Sequence, residues 1–166
     1  AIVEFPGVLY RGGAEQKIRK YLIDNNYVDT VIQLPADLFF GTSIATCVIV
    51  LKKSKKDNST LFIDASAEFV RGGNKNKLSE ENRRRILDAF VGRCDEEYFC
   101  RLVKNSEIAA NDYNISVSSY VTQEDTREQI DIAELNARIA RIVARQSELR
   151  DAIDAIVLDL EGGDYE

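Results

Sequence analysis

Residues 31–53 read VIQLPADLFFGTSIATCVIVLKK. The two short runs at its ends, residues 31–34 and 47–51, are β-branched and too uniformly apolar to alternate. Runs of this kind predict strands inside a sheet, covered on both faces. Between them stand a dozen residues that include Pro35, the pair Phe39-Phe40 and Gly41-Thr42-Ser43. A tight hairpin needs far fewer residues, so this connection is long enough to carry a site. A chain that returns from residue 34 to residue 47 without a crossover helix also predicts that the second strand runs antiparallel to the first.

Reading outward toward the N-terminus, residues 1–5 form a strand pattern that Pro6-Gly7 ends. Gly12-Gly13 frees the backbone to turn, and residues 14–25 predict a helix whose inner face is Ile18, Tyr21 and Leu22. Glu15 sits early, at the positive end of the helix dipole, and Asn25-Asn26 stops the helix. Arg11-Gly12-Gly13 lacks the further glycines or the Lys-Ser/Thr ending of a phosphate loop, so it reads as a turn. Toward the C-terminus, a polar linker over residues 54–59 leads to a strand at 61–63. A helix follows from about residue 79 to 94 with Ser79 as its N-cap. Asn111-Asp112-Tyr113-Asn114 reads as a turn, and residues 122–129 as a linker.

The tail carries the clearest periodicity. Ile132, Leu135, Ile139, Ile142, Gln146, Leu149, Ile153, Ile156 and Leu160 advance by alternating steps of three and four. That spacing predicts a coiled-coil helix with Gln146 as the one polar interruption of its seam. A lone apolar seam is not satisfied in water, so it must fold back, self-associate or dock on another chain.

Composition narrows the chemistry. There is no histidine, and the three cysteines, Cys47, Cys94 and Cys100, show no C-x-x-C spacing, which argues against a Cys/His metal centre or nucleophile. No apolar run approaches the roughly 18 residues of a membrane span and no signal peptide opens the chain, so a cytoplasmic location is expected. The net charge of −6 is unevenly placed: from Thr122 onward there are twelve Asp/Glu and five Arg, net −7, which leaves net +1 before it. Within that front portion Lys52, Lys53, Arg71, Lys75 and Lys77 are candidate contacts to DNA phosphates. Asp64 and Glu68 are paired only by spacing and are expected at caps and surface.

The segment LPADLFFGTSIATCVIVLKK resembles the late part of the adenine-N6 DNA methyltransferases that serve as modification subunits of type I restriction–modification enzymes. LYRGGAEQKIRKYLIDNN, TLFIDASAEF, NKNKLSEENRRRI and NDYNISVSSYV are similar to the same family in the same order, over residues 1–121. The resemblance implies an α/β fold: the C-terminal portion of a Rossmann-like methyltransferase sheet over residues 1–66, with its last strand slotted antiparallel between the two before it. A helical and irregular extension over 67–121 follows, then a linker and coiled-coil helix over 122–166. It implies S-adenosylmethionine as cofactor of the full-length protein, and DNA, a specificity subunit and a restriction subunit as partners. The Gly-rich FxGxG-type turn and the Asn-Pro-Pro-aromatic tetrapeptide of that family are not in this sequence, so a fragment without bound cofactor and without activity of its own is expected. A start at Ala1 and the lack of any Met fit that expectation.

By the same resemblance, Phe39, Phe40 and Gly41 stand at the target base, with Phe40 the aromatic that stacks on the flipped adenine. Adjacent residues rarely face the same way, so Phe39 is expected to be the core member of the pair, and Gly41 either lets the backbone approach the base or simply turns the loop. The tail seam implies docking on the specificity subunit, with self-association of the isolated fragment as its substitute. The rival expectation is a non-enzymatic coiled-coil interaction module on an α/β scaffold.

Overall fold

The computed structural model describes residues 1–123 and 132–162. The chain begins with β1 (Ile2–Glu4), a 3-10 turn over Pro6–Leu9, α1 (Ala14–Asp24), β2 (Val28–Gln33), β3 (Cys47–Leu51) and β4 (Ser59–Asp64). It continues with a hairpin of β5 (Val70–Gly72) and β6 (Lys75–Lys77), then α2 (Glu80–Gly92), β7 (Cys100–Lys104) and α3 (Asn105–Ala110). A second 3-10 turn over Val117–Ser119 and the long α4 (Ile132–Gly162) complete it. Of the linker expected over 122–129, residues 124–129 lie outside the described residues.

The fold is mixed α/β. Five strands form one sheet in the order β1-β3-β2-β4-β7. β3 runs antiparallel to β2, as the missing crossover helix predicts, and also antiparallel to β1, and it lies between the two. β2 and β4 are parallel, and β7 closes the other edge antiparallel to β4. Residues 67–121 thus contribute a strand to this sheet, and the described residues 1–123 belong to a single compact unit.

Alternation along each strand builds two cores. Val31, Cys47, Phe62 and Val103 face α1, α3 and the 3-10 turns, where Leu9, Ile23, Ile108 and Val117 meet them. Tyr120 stacks on Phe62 there, with ring centroids 4.4 Å apart. On the opposite face Ile32, Leu61, Ile63 and Cys100 pack with Ala89 of α2 and Phe99, and Ile86 and Phe90 lie against them. α2 starts where the sequence places it: the Ser79 hydroxyl accepts from the Asn82 amide at 3.1 Å and Asn82 Oδ1 accepts from the Ser79 amide at 3.0 Å. Such a reciprocal box satisfies two otherwise orphaned donors.

Two expectations are corrected. β2 is buried on both faces, but β3 is mostly half-buried and ends exposed at Leu51, because its neighbour β1 is an edge strand exposed throughout. In α1 the inner face is shifted: Ile18 and Tyr21 are exposed, while Arg19 and Ile23 are buried. Arg19 owes its place to hydrogen bonds, not hydropathy. Its Nε donates to the Tyr113 carbonyl at 2.8 Å and its Nη1 to the Val8 carbonyl at 2.9 Å. Burial pulls its pKa down from the ordinary arginine value while the Glu15 carboxylate opposes the shift. The guanidinium therefore ties the 3-10 turn, α1 and the 111–114 turn together.

Replacing Arg19 by Met would leave two inner carbonyls without a donor, and a loss of about 2–4 kcal/mol is expected. Thermal or urea denaturation measures it, and an unchanged stability would show that the clamp carries nothing. A second expectation concerns the sheet edge: β1 pairs on one side only, so its amides should exchange as fraying ends do, orders of magnitude faster than those of Val31 and Ile32 in the centre. Equal protection in a monomer, read by hydrogen exchange, would contradict the open edge.

Candidate functional site

The connection from β2 to β3 leaves the sheet and re-enters it at the same end. The Leu34 amide donates to the Thr46 carbonyl at 2.8 Å, and Gln33 Nε2 reaches the same oxygen at 3.2 Å. A loop so closed at its root projects its middle outward. Within it Asp37 and Gly41 take left-handed backbone, φ 55° and 80°. Nothing lies within 4 Å of a Cβ built on Gly41, so glycine is needed there for conformation and not for space. Between those two bends Leu38 packs on the sheet, whereas Phe39 is 40% and Phe40 100% exposed. The expectation that Phe39 is a core residue is therefore corrected: the bends turn both rings outward, and Leu38 is the anchor.

The loop is braced from the side by the β5–β6 hairpin. The Asn76 amide donates to the Asp37 carbonyl at 3.0 Å and its Nδ2 to the Ala36 carbonyl at 2.8 Å. Lys75 Nζ donates to the Thr42 carbonyl at 2.8 Å and lies 3.5 Å from the Asp37 carboxylate. Neither Asn76 nor the hairpin emerges from the sequence reading, although Gly73-Asn74 between two short strands was a turn signal, and Gly73 does take φ 68°.

The cations expected at phosphates divide into two groups. Arg71, Lys75 and Lys77 lie on the hairpin beside the Phe39-Phe40 loop; Lys77 is exposed, and Arg71 donates to Asn76 Oδ1 at 3.2 Å. Lys52 and Lys53 are exposed but follow the far end of β3, so the strand's length, about 16 Å at 3.3 Å per residue, separates them from the loop. Other cations are spent within the fold. Arg85 pairs with Glu68 and Glu96 and covers the Phe99 ring at 4.1 Å, and Arg93 pairs with Asp29 at 3.1 Å and Asp57 at 3.2 Å. At the loop's root, Thr46 Oγ1 is buried without a hydrogen-bond partner among the described residues.

α4, a unit by itself, is helical over 31 residues, about 46 Å at 1.5 Å per residue. Its expected seam is one apolar stripe. Ile132, Leu135, Ile139, Ile142, Leu149, Ile153, Ile156 and Leu160 are exposed, from 45% at Leu135 to 75% at Leu160, and Gln146 is exposed within the stripe.

The N-6 DNA Methylase family profile matches residues 1–129. The chain belongs to this family. It is 47% identical over 162 residues to the type I restriction enzyme MpnII methylase subunit of Mycoplasma pneumoniae, covering 97% of this chain and 30% of that protein. It is 35% identical over 158 residues to the MjaVII methylase subunit of Methanocaldococcus jannaschii, covering 92% of this chain and 27% of that one. The crystal structure of the type I restriction-modification system methyltransferase subunit from Streptococcus thermophilus superposes with a TM-score of 0.72 at 46% identity, over 74% of this chain and 26% of the other. The EcoKI M protein shares the fold, with a TM-score of 0.60 at 17% identity over 98% of this chain and 40% of the other. The chain thus spans less than a third of the length of these curated relatives.

Asp64, at the carboxyl end of β4, is buried, with one oxygen accepting from the Ser66 amide and the other from Gln123 Nε2. Gly12 and Gly13, before α1, face open space with nothing within 4 Å of an added Cβ.

Proposed function

We propose that this chain is part of the modification subunit of a type I restriction–modification system, which methylates adenine N6 in DNA with S-adenosylmethionine as the methyl source. In this reading residues 1–66 belong to the end of a Rossmann-like catalytic sheet. The observation that carries the proposal is Phe40: a phenyl ring wholly exposed at the tip of a loop clamped at its root and braced on its side. Exposing a large apolar ring to water on a held backbone is unfavourable unless a flat partner covers it.

A flipped purine is such a partner. The amino nitrogen of adenine cannot be reached inside the duplex, so the base must leave the stack and gain another one. Phe40 supplies that stacking face, Phe39 flanks it, and Gly41 gives the bend that lets the backbone approach. Arg71 and Lys77, beside the loop, take the nearest phosphates with Lys75 behind them, while Lys52 and Lys53 reach only flanking DNA. The methyl-donor site lies in the remainder of the subunit, so this chain alone orients a base and transfers nothing. The substrate is DNA, which sets the work in the cytoplasm; among the described residues no helix is long and apolar enough to cross a membrane.

α4 serves assembly. Its stripe fits a helical partner in the specificity subunit, through which the restriction subunit joins, and in the absence of that partner a second copy of the same helix takes its place. Gln146 fixes register, because its amide is satisfied only when the facing helix is correctly aligned.

In the whole subunit, Phe40→Ala should lower kcat/KM for DNA methylation by the value of one stacked base, about 1–3 kcal/mol or roughly 5- to 150-fold, with cofactor affinity unchanged. Because the Phe40 side chain is fully exposed, melting should not move; unchanged turnover would remove it from the pocket. Ile139→Asp with Ile153→Asp should abolish binding to the specificity subunit while the α/β unit keeps its melting transition. Normal assembly of that double variant, measured by calorimetry or co-purification, would exclude α4 as the docking element.

A further inference from the structure

The β5–β6 hairpin is a sheet of two strands, unconnected by hydrogen-bonded strands to the main one. Isolated pairs of this length are marginal in water. This one has no apolar core of its own to compensate: Val70 is exposed, and its one fully buried residue is Asn76, 5% exposed. What it buries instead is a set of polar contacts aimed at the Phe40 loop. Asn76 gives both its backbone amide and its Nδ2 to carbonyls of residues 36 and 37, and Arg71, its cross-strand partner, donates to its Oδ1 and so fixes which way the side-chain amide faces. Lys75 holds the other shoulder through the Thr42 carbonyl and returns to the first through Asp37. Only residues 38–41 remain between the two anchor points, and Phe40 is among them.

We infer that Lys75 and Asn76 are positioning residues for the target-base pocket: they touch neither base nor cofactor, but set where the Phe40 ring stands when the base arrives. The inference rests on the proposed stacking role of Phe40. A loop held only at its root by Leu34 and Thr46 would let the ring sample displacements of an ångström and more, and misplacement on that scale costs about a hundredfold in rate. The brace removes this freedom before DNA binds. Lys75 is thereby diverted from the phosphate role its charge suggests, since its ammonium already faces a carbonyl and a carboxylate on the loop.

The test uses the whole modification subunit assembled with its partner subunits, on a duplex with adenine or 2-aminopurine at the target position. Asn76→Ala and Lys75→Met should each lower kcat/KM for DNA by about ten- to a hundredfold and move the 2-aminopurine fluorescence toward the value seen with Phe40→Ala, with S-adenosylmethionine affinity unchanged. Lys75→Arg, which can still donate to the Thr42 carbonyl, should keep most of the activity. In a Phe40→Ala background neither change should cost anything further, because the ring they position is gone. Lys75 is half-exposed, so its variant keeps the test open should Asn76→Ala fail to fold. If Phe40→Ala impairs methylation while Lys75→Met retains parental kinetics and fluorescence, the positioning role is wrong and the stacking role stands. Losses fully additive with Phe40→Ala would likewise overturn it, in favour of a purely structural brace. If Phe40→Ala itself has no effect, the stacking role fails and the positioning role with it.

Discussion

The closure of the β2–β3 connection, sealed by the hydrogen bond from the Leu34 amide to the Thr46 carbonyl, governs how the five-stranded sheet is arranged. It brings residues 34 and 46 together at one end of the sheet, and so makes β3 the antiparallel neighbour of β2. With β2 occupied on one side by β3 and on the other by its parallel partner β4, β1 is left to the outer edge. The same closure forces the intervening residues out of the sheet plane as a loop. Strand order and exposed aromatic tip are therefore two results of one constraint.

The two ends of the sheet do different work. Opposite the loop, polar groups staple the structure shut: Arg93, in left-handed backbone at the end of α2, joins Asp29 of β2 to Asp57, and Thr60 of β4 meets Asn105 of α3 at 3.0 Å. Asn105 also donates to Asn26 Oδ1 at 2.9 Å and to the Ile23 carbonyl at 3.3 Å, so the turn after α1 belongs to the same network. Buried networks that are fully satisfied rigidify their surroundings. At the loop end the contacts instead run to backbone carbonyls of the loop itself, and the side chains at its tip stay free. Both ends are held, one by side chains joining elements to each other and the other by a brace on a backbone that presents exposed rings.

What the sequence revealed and what it hid follow a physical rule. The apolar runs of β2, β3 and β4 and the Ser79 cap were legible because the forces involved are local: β-branched packing and a cap three residues from its donor. The antiparallel return was legible because loop length limits topology. Arg19 was not, since its burial depends on carbonyls of Val8 and of Tyr113, the latter 94 positions away. Nor was Asn76, whose partners at 36 and 37 lie across a loop that hydropathy does not describe. Reading Phe39 as the buried member of its pair failed for a related reason: alternation applies within a strand, and here the chain bends twice within five residues. The periodic tail was plain as a helix and silent about its partner, as an amphipathic stripe always is.

The cysteines carry a practical consequence. Cys47 is wholly buried in β3, and burial first, then the Glu4 carboxylate, pushes its thiol up to about 11 despite the hydrogen bond to the Glu4 carbonyl. Cys100 is also buried, its thiol raised by desolvation and its Sγ donating to the Cys94 carbonyl at 3.1 Å. Thiolate is the reactive form, so both are poor nucleophiles near neutral pH. Cys94, just past α2, is the exposed one. A maleimide dye or spin label added to the unaltered chain will therefore settle on a single point beside the stapled end of the sheet, far from the aromatic tip. The protein thus comes with one built-in attachment point, away from the exposed Phe40 ring.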